Sequence, residues 1–95
     1  MSLLSNPLMQ ILGEIDDELT NQISLAKNTD TKINTKKIFQ LAKTLNDVIL
    51  ASPITSENKL MLQKFALTLK DSSTAKSLRY EKQDLERVLA NLNDL

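Results

Sequence analysis

The chain contains no cysteine and no histidine. Without cysteine, disulfides and thiolate metal sites are excluded. Without histidine, the commonest general base and the commonest metal ligand are gone. The single glycine, Gly13, cannot build a Gly-rich phosphate loop. With only Pro7 and Pro53 beside it, the chain lacks the turn formers that a β-rich domain needs. Aromatics are scarce too: Phe39, Phe65 and Tyr80. A core must therefore come from Leu and Ile, with some Ala, Val and Met. No apolar run approaches the roughly 20 residues that span a bilayer. Met1 to Leu12 has no Lys or Arg ahead of its apolar residues, which argues against a secretory signal and for a cytoplasmic protein. Charge of one sign is not in excess: 12 basic residues meet 12 acidic ones. Nonspecific nucleic-acid binding needs a basic surplus, so a nucleic-acid partner is not expected.

What remains is a globular composition, with 41% hydrophobic and 25% charged residues in 95. That length makes one domain, residues 1–95, whose folding buries roughly 60–65% of its unfolded surface. The apolar residues recur at helical spacing. The first stripe is Leu8, Leu12, Ile15, Leu19, Ile23 and Ala26, opening at an N-cap on Ser5 or Asn6 with Pro7 in first position. It ends near Lys27, before a polar turn at Asn28, Thr29 and Asp30. A second helix starts between Asp30 and Thr35, with the stripe Ile38, Leu41, Ala42, Leu45, Val48 and Ile49. Ser52-Pro53 stops it, because the residue before proline avoids helical angles. Thr55 caps a third helix with Glu57 in its first turn, and Leu62, Phe65, Ala66 and Leu69 form its stripe. Met61 borders that stripe. Ser73 is the expected cap of a fourth helix, with the stripe Leu78, Leu85, Val88, Leu89, Leu92 and Leu95. Its expected surface is Lys76, Arg79, Glu81, Lys82, Asp84, Glu86 and Arg87, with Lys82 and Glu86 spaced to pair. Turns of about 3–6 residues between such segments predict an all-α, antiparallel four-helix bundle.

Catalytic machinery is hard to assemble from these residues. Glu14 and Asp17 stand three apart, as in a carboxylate metal site, but no histidine and no second matching helix accompany them. They read as a solvated helix face. Ser73 and Lys76 match a Ser-x-x-Lys spacing, yet as a helix cap and a surface lysine. The expectation is a non-enzyme with no cofactor and no metal.

Two groups suit binding instead. Residues 27–44 carry Lys27, Lys32, Lys36, Lys37 and Lys43 against Asp30 alone, while residues 1–26 carry four carboxylates and no base. The leading reading is that these two segments face each other across the first turn. The other reading makes Lys36, Lys37 and Lys43 a patch for a partner or a membrane surface. Arg79, Tyr80 and Arg87 are the second group, since Arg and Tyr are enriched at binding hot spots. The heptad spacing of Leu78, Leu85 and Leu92 also offers a helical dimer as the alternative to a monomer.

The stretch from Lys37 to Lys70, KIFQLAKTLNDVILASPITSENKLMLQKFALTLK, resembles the immunity proteins of class IIa (pediocin-like) bacteriocins, enterocin A type. The similar residues are Leu41-Ala42-Lys43 in one helix, and Ser56-Glu57 with Leu60 and Leu62 in the next. The Asn6-Pro7 start and the Lys/Asn-rich style are similar too. Where that family often carries a tail beyond its last helix, the apolar pattern here runs to Leu95. The resemblance implies a four-helix bundle that protects a bacteriocin producer. Such a protein binds a membrane receptor–bacteriocin complex at the inner membrane face and blocks the pore without catalysis. The alternative function is a helical protein-interaction or regulatory module of phage or mobile-element type.

Overall fold

The computed structural model describes residues 6–28 and 30–93. They form four helices: α1 Asn6–Leu25, α2 Thr35–Ala51, α3 Ser56–Lys70 and α4 Ala75–Asn93. No strand lies among the described residues, only an isolated bridge between two connections. Helix packing is cyclic: α1 meets α2 and α4, and α3 meets α2 and α4. The bundle is therefore square, with α1 diagonal to α3, and it measures 40 × 21 × 19 Å. The all-α antiparallel four-helix bundle expected from the apolar spacing is the fold observed.

The core is the four stripes turned inward. Leu8, Leu12, Ile15 and Leu19 of α1, joined by Ile11, close on Ile38, Ala42, Leu45 and Ile49 of α2. Leu62, Phe65, Ala66 and Leu69 of α3 and Leu78, Leu85, Val88 and Leu92 of α4 complete it. Ile23, Leu41, Val48, Met61 and Leu89 pack at its margin. The cap expected at Ser5 or Asn6, the turn residue Thr29 and the stripe residue Leu95 rest on atoms outside the described ones.

Chain ends of the helices follow local chemistry. Asn34 caps α2 by accepting the Lys37 amide, and Thr55 caps α3 by accepting the Asn58 amide. Ser52 takes extended angles ahead of Pro53 and ends α2 as expected. Its hydroxyl donates to the Val48 carbonyl at 2.6 Å. Ser72 does the same for α3, donating to the Thr68 carbonyl.

Three local expectations are corrected. The first helix ends at Leu25, not near Lys27, because the Thr31 hydroxyl oxygen accepts the Lys27 and Asn28 amides and draws the chain off the helical path. The connection from residue 26 to 34 is consequently longer than the turns of about 3–6 residues expected. The cap of α4 is Thr74, not Ser73: its Oγ1 accepts the Ser77 amide at 3.3 Å.

The long connection is ordered by its contacts. The Asn34 amide donates to Gln22 Oε1 at 2.7 Å, and the same side chain's Nε2 donates to Glu18 at 2.8 Å. Gln22 is buried and holds the chain against α1. Farther back, the Ala75 amide donates to the Thr31 carbonyl at 3.0 Å, and Lys32 bridges Thr74. The α1–α2 and α3–α4 connections are thus joined at one end of the bundle.

Candidate functional surfaces

The bundle closes its core yet leaves several large apolar side chains outside it. Leu25, Phe39, Leu50, Leu60, Leu67 and Tyr80 are each more than two-fifths exposed. Four of them lie on α2 and α3.

Phe39 lies in a lysine-lined recess. Lys70 Nζ stands 4.8 Å from the centre of its ring, within cation–π range. Lys36 and Lys43 line the same shallow recess, with Thr35 and Gln40 between them. The helical repeat explains the grouping: Lys36, Phe39 and Lys43 follow at three- and four-residue steps along α2, and α3 runs antiparallel so that its last turn meets them. Among the described residues, no carboxylate lines this recess.

Lys37 does not belong to the group. It stands a further hundred degrees round the helix and pairs with Glu18 of α1 at 2.9 Å. The structure therefore divides the sequence patch: Lys36 and Lys43 are brought together with Phe39 and Lys70, and Lys37 is spent internally. The acidic and basic segments do face each other at this one pair. Burial pushes the Glu18 carboxyl up, but hydrogen bonds from Lys37 and Gln22 and the Lys37 charge leave it below the usual range.

On α4, Arg79 and Tyr80 are exposed, and Arg87 is exposed one heptad beyond Tyr80. Tyr80 and Arg87 share a face, whereas Arg79 points toward the α1 flank. Arg87 approaches Asp84 at 3.9 Å and lines the α3–α4 groove with Met61 and Lys64. Lys82 turns from its expected partner Glu86 and pairs with Asp16 of α1 at 3.0 Å. The reach across the helix pair brings a full carboxylate within bonding distance and ties α4 to α1.

Glu81 is the main correction on this helix. Expected on the surface, it is buried, with its carboxylate accepting the Thr68 hydroxyl at 3.1 Å. Burial raises its pKa to about 7, against the lowering effect of the Thr68 bond and with a smaller push from the Asp84 charge. The signal was present in the sequence. A gap of seven between Leu78 and Leu85 leaves one turn of the core stripe to be filled, and position 81 fills it.

Leu78, Leu85 and Leu92, the candidate dimer stripe, are all inside the bundle. Ser73 and Lys76 are both exposed, at the start of α4. Among the described residues, no group of three or more His, Cys, Asp or Glu is placed to hold a metal ion. No helix among them is long and apolar enough to cross a membrane. These surfaces offer an aromatic ring with one ammonium group over it and two more lysines lining the same recess, and a phenol with guanidinium groups. The Phe39 cluster escaped sequence reasoning because Lys70 is more than thirty positions away, although Lys36 and Lys43 bracket the ring. No family model matches the chain, and no curated protein or solved structure matches it either.

Proposed function

We propose that this protein is a non-catalytic binding module that confers bacteriocin immunity, acting on a membrane receptor–bacteriocin complex from its cytoplasmic side. The observation that carries the reading is a closed four-helix core that nevertheless presents large apolar and aromatic groups beside cations. Such exposed groups are what partner surfaces are made of. The resemblance of residues 37–70 supports the specific role, and the Phe39 cluster lies within that stretch. The absence of histidine and cysteine from the sequence supports a role without catalysis. On α4, Tyr80 and Arg87 supply the recognition face and Arg79 its edge.

The test is tolerance. A sensitive strain expressing the protein should tolerate one pediocin-like peptide better and an unrelated pore former no better, because specificity is a difference of affinities. Arg79→Ala with Tyr80→Ala should weaken protection while circular dichroism stays unchanged. If no peptide of the class is better tolerated, the reading fails.

A further inference from the structure

Four of the large exposed apolar residues, Phe39, Leu50, Leu60 and Leu67, share one side of the bundle with Lys36, Lys43, Lys64 and Lys70, whereas Leu25 on α1 and Tyr80 on α4 lie outside it. With about 3.6 residues per turn, Phe39, Lys43 and Leu50 share a face of α2, and Leu60, Lys64 and Leu67 share a face of α3. The approach of Lys70 to the Phe39 ring fixes which flank of α2 meets which flank of α3. It places the two faces side by side, pointing outward. Leu50, Leu60 and Leu67 are each about two-thirds exposed, at 66%, 68% and 61%.

Charge is distributed to match. Helices α2 and α3 carry six lysines against Asp47 and Glu57. Helix α1, diagonal to α3, carries Glu14, Asp16, Asp17 and Glu18 and no base. A bundle with zero net charge thus has a basic, apolar-studded side and an acidic side. An anionic plane would attract the first and repel the second, so it would orient the molecule as well as hold it. Apolar side chains among lysines are the signature of a surface that lies in the interface of an anionic membrane. A nucleic-acid surface would not need three exposed leucines.

We infer that the outer face of the α2–α3 hairpin seats this protein on an anionic lipid bilayer, with Phe39, Leu50, Leu60 and Leu67 entering the headgroup region and Lys36, Lys43 and Lys70 meeting the lipid phosphates. The inference deepens the binding reading by naming the surface on which the protein works. It does not depend on which peptide is neutralised.

Vesicle binding tests it. The protein should co-sediment with vesicles of phosphatidylglycerol and phosphatidylcholine, not with phosphatidylcholine alone, and salt should weaken binding. The triple variant Lys36→Gln, Lys43→Gln, Lys70→Gln should bind about a hundredfold more weakly, at roughly fivefold per lysine. The charge-matched variant Lys27→Gln, Lys32→Gln, Lys76→Gln, at the end where the connections join, should bind nearly as the parent does. The chain has no tryptophan, so a Phe39→Trp variant reports directly on this face. Its emission should shift to the blue with the anionic vesicles only. Equal losses in the two triple variants, or binding with no such shift, would overturn the assignment of the face. No binding to anionic vesicles would overturn the inference entirely and leave an acidic protein as the occupant. The tolerance experiment would stand or fall separately.

Discussion

Glu81 occupies a position that a leucine would fill in an ordinary helical stripe, and among the described residues its carboxyl bonds to the Thr68 hydroxyl and to no cation. A buried carboxyl without a cation favours its protonated form. Its pKa of about 7 in the folded chain lies above the 4.5 of an ordinary glutamate. The folded state therefore binds the extra proton, and stability falls as pH rises from about 4.5 through 7. Glu81→Gln keeps the shape and the bond to Thr68 without the charge. We expect it to be more stable than the parent at pH 8, by on the order of 1–3 kcal/mol, and the gap to close near pH 4. Urea titrations at the two pH values check this. An equal effect at both would mean that Glu81 is ionised at no cost. The sequence revealed the vacancy in the stripe. It did not reveal that a charged residue type fills it, because composition gives Glu a strong prior for the surface.

Helix identity was legible element by element, because the period of the apolar residues sets which side is buried. Ends were less so. At Asp71-Ser72-Ser73-Thr74, several residues are competent caps, and local sequence does not choose among them. The choice is made from outside, by the Lys32 bridge that fixes the backbone at Thr74. Thr74→Ala should cost about 1 kcal/mol. Ser73→Ala, exposed and one residue too early, should stay within about 0.5 kcal/mol of the parent. Thermal or urea unfolding of the two variants distinguishes the caps, and a larger loss at Ser73 would restore the first expectation. The length of the α1–α2 connection is hidden from local sequence for the same reason. Gln22 and Thr31 order it through contacts at a distance that no local pattern signals.

Across the whole molecule, periodicity gave the number of helices and their inward faces but not which flank meets which neighbour. Lys37 and Lys36 are adjacent in sequence and serve different flanks of α2, one toward Glu18 and one toward Phe39. Only the square arrangement separates them. That arrangement also uses the heptad leucines internally, so Leu85→Ala should lower stability by about 2–5 kcal/mol. The loss is a large share of the roughly 5–15 kcal/mol of an ordinary domain. The parent should sediment as a monomer at micromolar concentration. A dimer that Leu85→Ala dissociates without unfolding would contradict the burial of this residue.

The hydrogen bond from Ala75 to Thr31 has a consequence for amide exchange. The first amides of a helix have no partner within it and ordinarily trade protons with solvent quickly. Ala75 stands at the first position of α4, but its amide is taken by a carbonyl from another connection and its side chain is buried. Its exchange therefore times the separation of two connections that are more than forty residues apart, not the fraying of one helix. Deuterium uptake at Ala75 should be slow, close to that of Leu78, while Ser56 at the start of α3 should exchange fast. Gln22→Ala, by loosening the first connection, should speed Ala75 without altering Leu62. A helix end would then serve as the clock for opening of the bundle's joined end.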